Sequence, residues 1–343
     1  MAALCATFRV SERAAGEARQ LLRIFSADAL HRPANEFYRG LSSINAKGFP
    51  LQWSFCIDGR PSSVRFLCEA GRIGSSAARR HRVSLHRLRR AADLLSLPPL
   101  GWLWDAIDLA VPSTQPVPEH WRSTLWFGVG ARADSVALKV YLNFERDRAY
   151  DRWWRFGHLL KSLGRHSALA EVCRISAEVS RDSWPVGLCL DVRPDGSAGK
   201  VKLYLYSDEV GPDWLRRWYR SLGRQEWAGR VLSTAWACAP VESHRFPERS
   251  FYISLEVHED ESLSLKTDIP LSRSAKGDWV VVDVVRALAR DLGVSEVAYL
   301  EGLHAIGAFP PDARSRGVHE LIGIGIEPDG TGHINLYCHP RIQ

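Results

Sequence analysis

The sequence predicts an α+β protein: a ten-stranded antiparallel β-barrel made from five repeated units, with helices outside. Three observations predict it. Segments of apolar/polar alternation come in pairs joined by short turns. Stretches with apolar residues at three- and four-residue spacing separate the pairs. A lysine also recurs at a near-constant interval, with 63 residues from Lys139 to Lys202 and 64 from Lys202 to Lys266.

The first strand pair is LQWSFCID (51–58) and SSVRFLCE (62–69), around Gly59-Arg60-Pro61. The second is TLWFGVGA (124–131) and ALKVYLN (137–143). In the third, VGLCLDV (186–192) and KVKLYLY (200–206) flank an Asp-Gly turn, and in the fifth so do LIGIGIE (321–327) and GHINLYC (332–338). Asp-Gly between alternating segments is a strong hairpin signal. The fourth pair is FYISLEV (251–257) and LSLKTDI (263–269), and the acidic HEDES run (258–262) is its turn. Helices are predicted over 82–96, 146–164, 212–223 and 283–293, three of them closing in Gly after Leu. The chain reads as a single domain over 1–343, with 1–44 as a helical N-terminal cap because ERAAGEARQLLRIFSADAL is amphipathic.

Ten consecutive antiparallel strands avoid open edges by closing, and outer helices cover an outward apolar face. Stripes such as Leu125/Phe127/Val129, Leu188/Leu190/Val192 and Ile322/Ile324/Ile326 supply that face. The opposite stripes then face the lumen. They hold Gln52 and Ser54; Arg65 and Glu69; Trp126; Lys139 and Tyr141; Lys200, Lys202, Tyr204 and Tyr206; Tyr252, Ser254 and Glu256; Lys266 and Asp268; and His333, Asn335 and Tyr337.

Composition sets outer limits. The 343 residues are 45% hydrophobic and 24% charged, ordinary for a globular chain able to bury a sizeable core. The net charge of +6 is a mild bias toward anionic ligands. No run approaches a membrane span, and MAALCATFRVSERAAGEARQ is too polar for a signal peptide. The seven cysteines are scattered and never form CxxC, which argues against zinc and fits a reducing cytoplasm. The commonest nucleotide-binding loops are absent. The basic helices at 79–90 and 216–220 lie apart in the sequence and make nucleic acid a poor partner. Trp153, Trp154, Trp214 and Trp218 stand at helical spacing and read as helix–barrel packing.

The stretch KVKLYLYS (200–207) raises the chemical question. Alone, its lysines and tyrosines suit a solvated strand face. Inside a barrel, converging lysines need an anion, because burying unpaired charge is costly. Phosphate suits Lys and Arg, while phenols donate to phosphate oxygens and offer π-faces to a cation.

At these residues the chain resembles the ABBA aromatic prenyltransferases. The features are Glu69 in RFLCE, Lys139-Val-Tyr141, Lys200-Val-Lys202-Leu-Tyr204, the weaker Lys266-Thr-Asp268, and Tyr337, in order over roughly 45–340. The opening PLQWSF…VRFLCE is closest in appearance to the cyanobactin-type enzymes that prenylate ribosomally made cyclic peptides. The resemblance implies a barrel of five αββα repeats with its site in the lumen. It implies Glu69 as the acid–base residue and Arg80, Lys139, Lys200, Lys202, Tyr204, Lys266 and Tyr337 around the diphosphate. Arg72, Arg79, Arg82 and Arg65 compete with Arg80 for the arginine position. Tyr141, Tyr206, Trp126 and Tyr252 would shield the carbocation or line the pocket. Asp268 stands where a neutral contact is expected and raises Mg²⁺ binding, although no cofactor is expected to be tightly bound.

The implied activity is transfer of a dimethylallyl, or geranyl, group from its diphosphate to a side chain of a peptide. Prenylation of free tryptophan or a small aromatic metabolite is the alternative. A non-enzymatic barrel that binds an anionic amphiphile is the second alternative, and it needs the cations but not Glu69.

Overall fold

Period-two alternation becomes strand wherever one face can be covered, and the computed structural model carries this out ten times. It describes residues 1–28, 42, 44, 49–58, 63–72, 74–145, 149–179, 183–207, 211–238, 251–271, 277–308 and 318–339. The strands are β1 (Leu51–Ile57), β2 (Val64–Cys68), β3 (Leu125–Arg132), β4 (Ser135–Asn143), β5 (Trp184–Val192), β6 (Ala198–Tyr206), β7 (Tyr252–Val257), β8 (Leu263–Pro270), β9 (His319–Ile326) and β10 (Gly332–Cys338). Each pairs antiparallel with its sequence neighbours. β1 and β10 close the barrel, in register from Trp53↔Cys338 to Ile57↔Ile334. The expected turn Gly59-Arg60-Pro61 and the start of the 146–164 helix lie outside the described residues.

Two helices occupy each interval between hairpins, where the periodicity had shown one. They are α3 (Ala77–Leu94) and α4 (Gly101–Ala110); α5 (Ala149–Ser162) and α6 (His166–Val179); α7 (Pro212–Ser221) and α8 (Gln225–Cys238); α9 (Asp278–Asp291) and α10 (Val297–Ala305). Before β1 come α1 (Ala2–Thr7) and α2 (Glu12–Ser26), while most of 29–48 lies outside the described residues. α3 begins five residues before its predicted start, because Ser76 caps it by accepting from the Arg79 amide at 3.3 Å.

The helices cover the outward stripes as expected. Leu125, Phe127, Leu188, Leu190, Ile322 and Ile324 are fully buried. Phe25 of α2 stacks on Phe127 of β3, ring centroids 4.1 Å apart. At Gly302 of α10 a Cβ would stand 2.5 Å from the Phe55 ring, so only glycine lets that helix lie so close to β1. The Trp214 and Trp218 indoles are buried and both donate to Ser183 Oγ, at 2.8 and 3.1 Å. Trp154 corrects the packing expectation: it is 63% exposed and stacks on His158 one turn along α5. No helix among the described residues is long and apolar enough to cross a membrane. All seven cysteines are free.

Candidate active site

Alternation sends every second side chain of each strand inward, and strand register decides which of them meet. One path around the wall pairs Trp126 with Tyr141, Tyr141 with Cys189, Cys189 with Lys202, and Lys202 with Glu256. Another pairs Gly187 with Tyr204, Tyr204 with Ser254, and Ser254 with Lys266. A third pairs Tyr252 with Asp268 and Asp268 with Gly323. The lumen thus divides into an aromatic end and a charged end.

The aromatic end is a cavity of about 280 Å³ lined by Trp126, Tyr141, Tyr204, Tyr252 and Tyr337, together with Gln52, Leu67 and Asp268. Tyr141 and Tyr204 lie with ring centroids 6.2 Å apart. Glycines make the room. A Cβ on Gly128 would stand 2.9 Å from the Tyr141 ring, and one on Gly187 would touch Tyr204. Burial pushes the Tyr141 and Tyr204 phenols well above their ordinary range, so both stay protonated and able to donate. A cavity of about 310 Å³ also lies outside the barrel, among Arg13, Glu17, Ser96 and Asp134, and contains none of the predicted residues.

At the charged end the lysines converge as expected, yet the expectation that only a ligand anion could neutralise them is corrected. Lys139 Nζ lies 2.6 Å from both oxygens of Asp191. Lys202 and Lys200 share Glu256, at 2.5 and 2.9 Å, and Lys200 also lies 3.6 Å from Glu327. Lys266 donates to Asp268 Oδ2 and to the Tyr337 hydroxyl, each at 2.8 Å, and lies 5.1 Å from the Tyr337 ring centroid. Burial alone would lower the Lys202 and Lys266 pKa values, but Glu256 and Asp268 hold both above the ordinary lysine range. Burial likewise opposes ionisation of Glu256, and Lys202 and Lys200 overcome it, leaving its pKa well below the usual carboxylate range. The His333 side chain, 3.2 Å from Glu327, is the largest cause lowering that carboxyl to about 2.

Three predicted residues stand elsewhere. Arg80 does not join the lysines. Its guanidinium contacts Glu69 and donates to the Arg122 carbonyl at 2.5 Å. Glu69, wholly buried just beyond β2, also accepts from Ser42 Oγ at 2.6 Å, and neither residue lines the aromatic cavity. Burial pushes the Glu69 carboxyl up, with Arg80, Ser123 and Ser42 opposing. Tyr206 packs edge-on against Trp184 at 5.6 Å rather than entering the cavity. Of the competing arginines, Arg72, Arg79 and Arg82 are exposed. Arg65 reaches the lumen, donating to Asn335 Oδ1 at 3.1 Å and to Ser63 Oγ at 2.8 Å.

Periodicity had not given a role to Asp191, Cys189 or Gln52, although each stands on an inward stripe. Burial lifts the Cys189 thiol to about 12, so it is an inert wall group. Asp268 does not fit a resident Mg²⁺. Its Oδ2 is taken by an ammonium, and no group of three metal-ligating side chains occurs among the described residues.

No family model and no curated protein matches the chain. Solved structures do. The 5-dimethylallyltryptophan synthase from Streptomyces coelicolor superposes with a TM-score of 0.81 at 18% identity, over 99% of this chain and 95% of that one. The 6-dimethylallyltryptophan synthase from Micromonospora olivasterospora, in complex with DMASPP and Trp, gives 0.81 at 19% identity, over 100% and 96%. AnaPT from Neosartorya fischeri gives 0.74 at 14% identity, over 99% and 91%. These neighbours give no support to a particular closeness to the cyclic-peptide enzymes. Across nearly its whole length, the chain has the ABBA prenyltransferase fold.

Proposed function

We propose that the chain transfers a dimethylallyl group from its diphosphate to a small aromatic acceptor of the tryptophan type. One observation carries this: an aromatic cavity joined, through Lys266 and Tyr337, to a wall of lysines. In this reading Lys139, Lys202, Lys266 and Arg65 receive the diphosphate, with the protonated phenols of Tyr141, Tyr204 and Tyr337 as further donors. The allylic C–O bond breaks and its electron pair leaves with the diphosphate. The tyrosine faces screen the allyl cation from water. The acceptor ring supplies the pair for the new C–C bond, and its displaced proton passes to the released diphosphate. Preorganised charge at the leaving group is commonly the largest catalytic contribution.

Two features support the small acceptor and the five-carbon donor. At about 280 Å³ the cavity lies just below the usual range of ligand sites, roughly 300–1,000 Å³. Neighbouring structures are also described as dimethylallyltryptophan synthases, some in complex with Trp. In this reading Glu69, held by Arg80 outside the cavity, braces the wall instead of exchanging the proton. Incubation with dimethylallyl diphosphate and L-tryptophan, read by mass spectrometry, is expected to add one C₅H₈ unit to the amino acid. Product only with cyclic peptides would restore the peptide reading. Tight donor binding without transfer to any aromatic acceptor would favour a non-enzymatic barrel.

A further inference from the structure

With its histidines uncharged, the charged end of the lumen is neutral before any ligand enters. Among the described residues, five cations (Lys139, Lys200, Lys202, Lys266 and Arg65) stand with five carboxylates, Asp191, Glu256, Glu327, Asp268 and Asp58. An allylic diphosphate brings about three negative charges near neutral pH. Leaving them uncompensated in a largely dehydrated lumen is costly, so positive charge has to enter with the ligand.

Two histidines flank one of these carboxylates. His333 on β10 is the register partner of Gly325, where a Cβ would overlap the imidazole, so the missing side chain makes room for the ring. Its Nδ1 lies 3.2 Å from Glu327 Oε1, and the residue is only 8% exposed. His258, just beyond β7, reaches the other oxygen: its Nε2 is 3.8 Å from Glu327 Oε2 and 2.7 Å from Ser264 Oγ. Histidine is the side chain whose charge changes most readily near neutral pH.

Lys200 ties Glu327 to the lysine wall, at 3.6 Å from it and 2.9 Å from Glu256, which also pairs with Lys202. A diphosphate that draws Lys202 away leaves Glu256 to Lys200, and Glu327 is then left to the histidines. Other carboxylates nearby favour a proton there. Glu256 acts on both rings and Asp260 on His258, while Asp58 follows Ile57, the partner of Ile334 beside His333. The opposing cations are Lys200, Lys202 beyond Glu256, Lys266 across Gly325, and Arg65 at Asn335. Burial holds His258 below the ordinary histidine value, with Lys200 adding to this and Glu256, Glu327 and Asp260 opposing. Once Lys200 is committed to Glu256, its share of that depression shrinks.

We propose, resting on the prenyl-transfer reading, that His333 and His258, with Glu327 between them, form a proton-binding site that loads as the diphosphate enters. The proton comes from solvent and returns to it when the product diphosphate departs. Donor affinity is therefore linked to pH. The gain is complete where the site is protonated in both states, and it is lost as pH rises through the donor-bound value.

The test titrates the full chain calorimetrically with dimethylallyl thiolodiphosphate at pH 7.5, in chelator-treated buffers of unlike ionisation enthalpy. The slope of heat against buffer enthalpy counts protons. Uptake of about one proton is expected, with affinity falling up to about tenfold from pH 7 to pH 8. His333→Gln/His258→Gln is expected to remove most of the uptake with the analogue still bound. Glu327→Gln keeps both imidazoles, and should lower the uptake even where the double variant fails to fold. Histidine Cε1 proton NMR of the unaltered protein, which needs no variant, should show an imidazole turning cationic as the analogue binds. Binding without proton uptake, uptake that leaves every imidazole neutral, uptake undiminished in the variants, or binding that requires Mg²⁺ in place of a proton overturns the inference. Absence of analogue binding under every condition, Mg²⁺ included, counts instead against the prenyl-transfer reading.

Discussion

Glu69→Gln separates a catalytic from a structural carboxylate. The Glu69 side chain is 0% exposed and its ion-pair partner Arg80 is 2% exposed. The amide cannot neutralise the guanidinium, so a buried cation is left with only neutral acceptors such as the Arg122 carbonyl. Removing one partner of a buried pair costs about 3–5 kcal/mol, whereas replacing both by apolar groups is often neutral. Against a total stability of about 5–15 kcal/mol this is a large loss. With a urea slope of about 3 kcal/mol/M, it lowers the unfolding midpoint by about 1 M or more. The double variant Glu69→Gln/Arg80→Met is expected to recover most of it. Urea unfolding followed by circular dichroism provides the readout, with thiolodiphosphate affinity measured below the transition and expected to hold. A Glu69→Gln protein of undiminished midpoint, with turnover lowered by roughly 10²–10⁴-fold, would refute the structural role and return Glu69 to acid–base duty.

Lys202→Ala and Lys139→Ala should each weaken thiolodiphosphate binding by about 1.5–3 kcal/mol, a factor of roughly 10–150 by calorimetry; unchanged affinity in both would remove the lysine wall as the diphosphate site. Glu256→Gln is expected to do the opposite, tightening the donor analogue by freeing Lys200 and Lys202 while lowering the melting temperature, and weaker binding would show that Glu256 positions the lysines. Asp278 accepts from His319 Nδ1 at 2.7 Å and from the Val318 and His319 amides at 3.2 Å. Despite burial, the His319 contacts hold its carboxyl at about 2, against an ordinary 3.8. A depressed folded pKa adds stability that is complete above pH ~4 and lost as pH falls through about 2, worth about 2–3 kcal/mol. Asp278→Asn should therefore be destabilised at pH 6 and approach the unaltered protein near pH 2, and an equal difference at both pH values would sink the assignment.

The barrel was legible because its signals are local. Period-two alternation and Asp-Gly turns lie within a few residues, and the Lys139/Lys202/Lys266 interval reports the repeat directly. The second helix of each pair gave weaker signals. α4, GWLWDAIDLA, has only Asp105 and Asp108 to mark a polar face, and α10, VAYLEGLHA, has no clean polar face. The inward stripe was legible, but side-chain partnership was not, since that depends on register between strands. Glu256 stood on a stripe read from sequence, yet its place opposite Lys202 follows only from the β6–β7 pairing. Arg80 shows the complementary limit. An arginine shortly after Glu69 looked like a member of the cation wall, but the Ser76 cap places it on the first turn of α3, facing Glu69.

The carboxylates among the lysines reconcile two demands that sequence reasoning had set against each other. A lumen able to hold a diphosphate needs several cations close together, and without the ligand those cations repel one another while largely stripped of water. Asp191, Glu256, Glu327 and Asp268 remove that conflict by pairing with Lys139, Lys200, Lys202 and Lys266. The ammonium groups are thereby held in defined positions before any ligand arrives, which is what preorganised electrostatics requires. Affinity for an anion then becomes a difference between two sets of ion pairs and depends on whether each carboxylate finds a new partner. Glu256 and Glu327 keep Lys200 and His333 beside them. Asp191 and Asp268 each pair with one lysine, Lys139 and Lys266, so the cost of drawing a lysine away to a diphosphate falls on them.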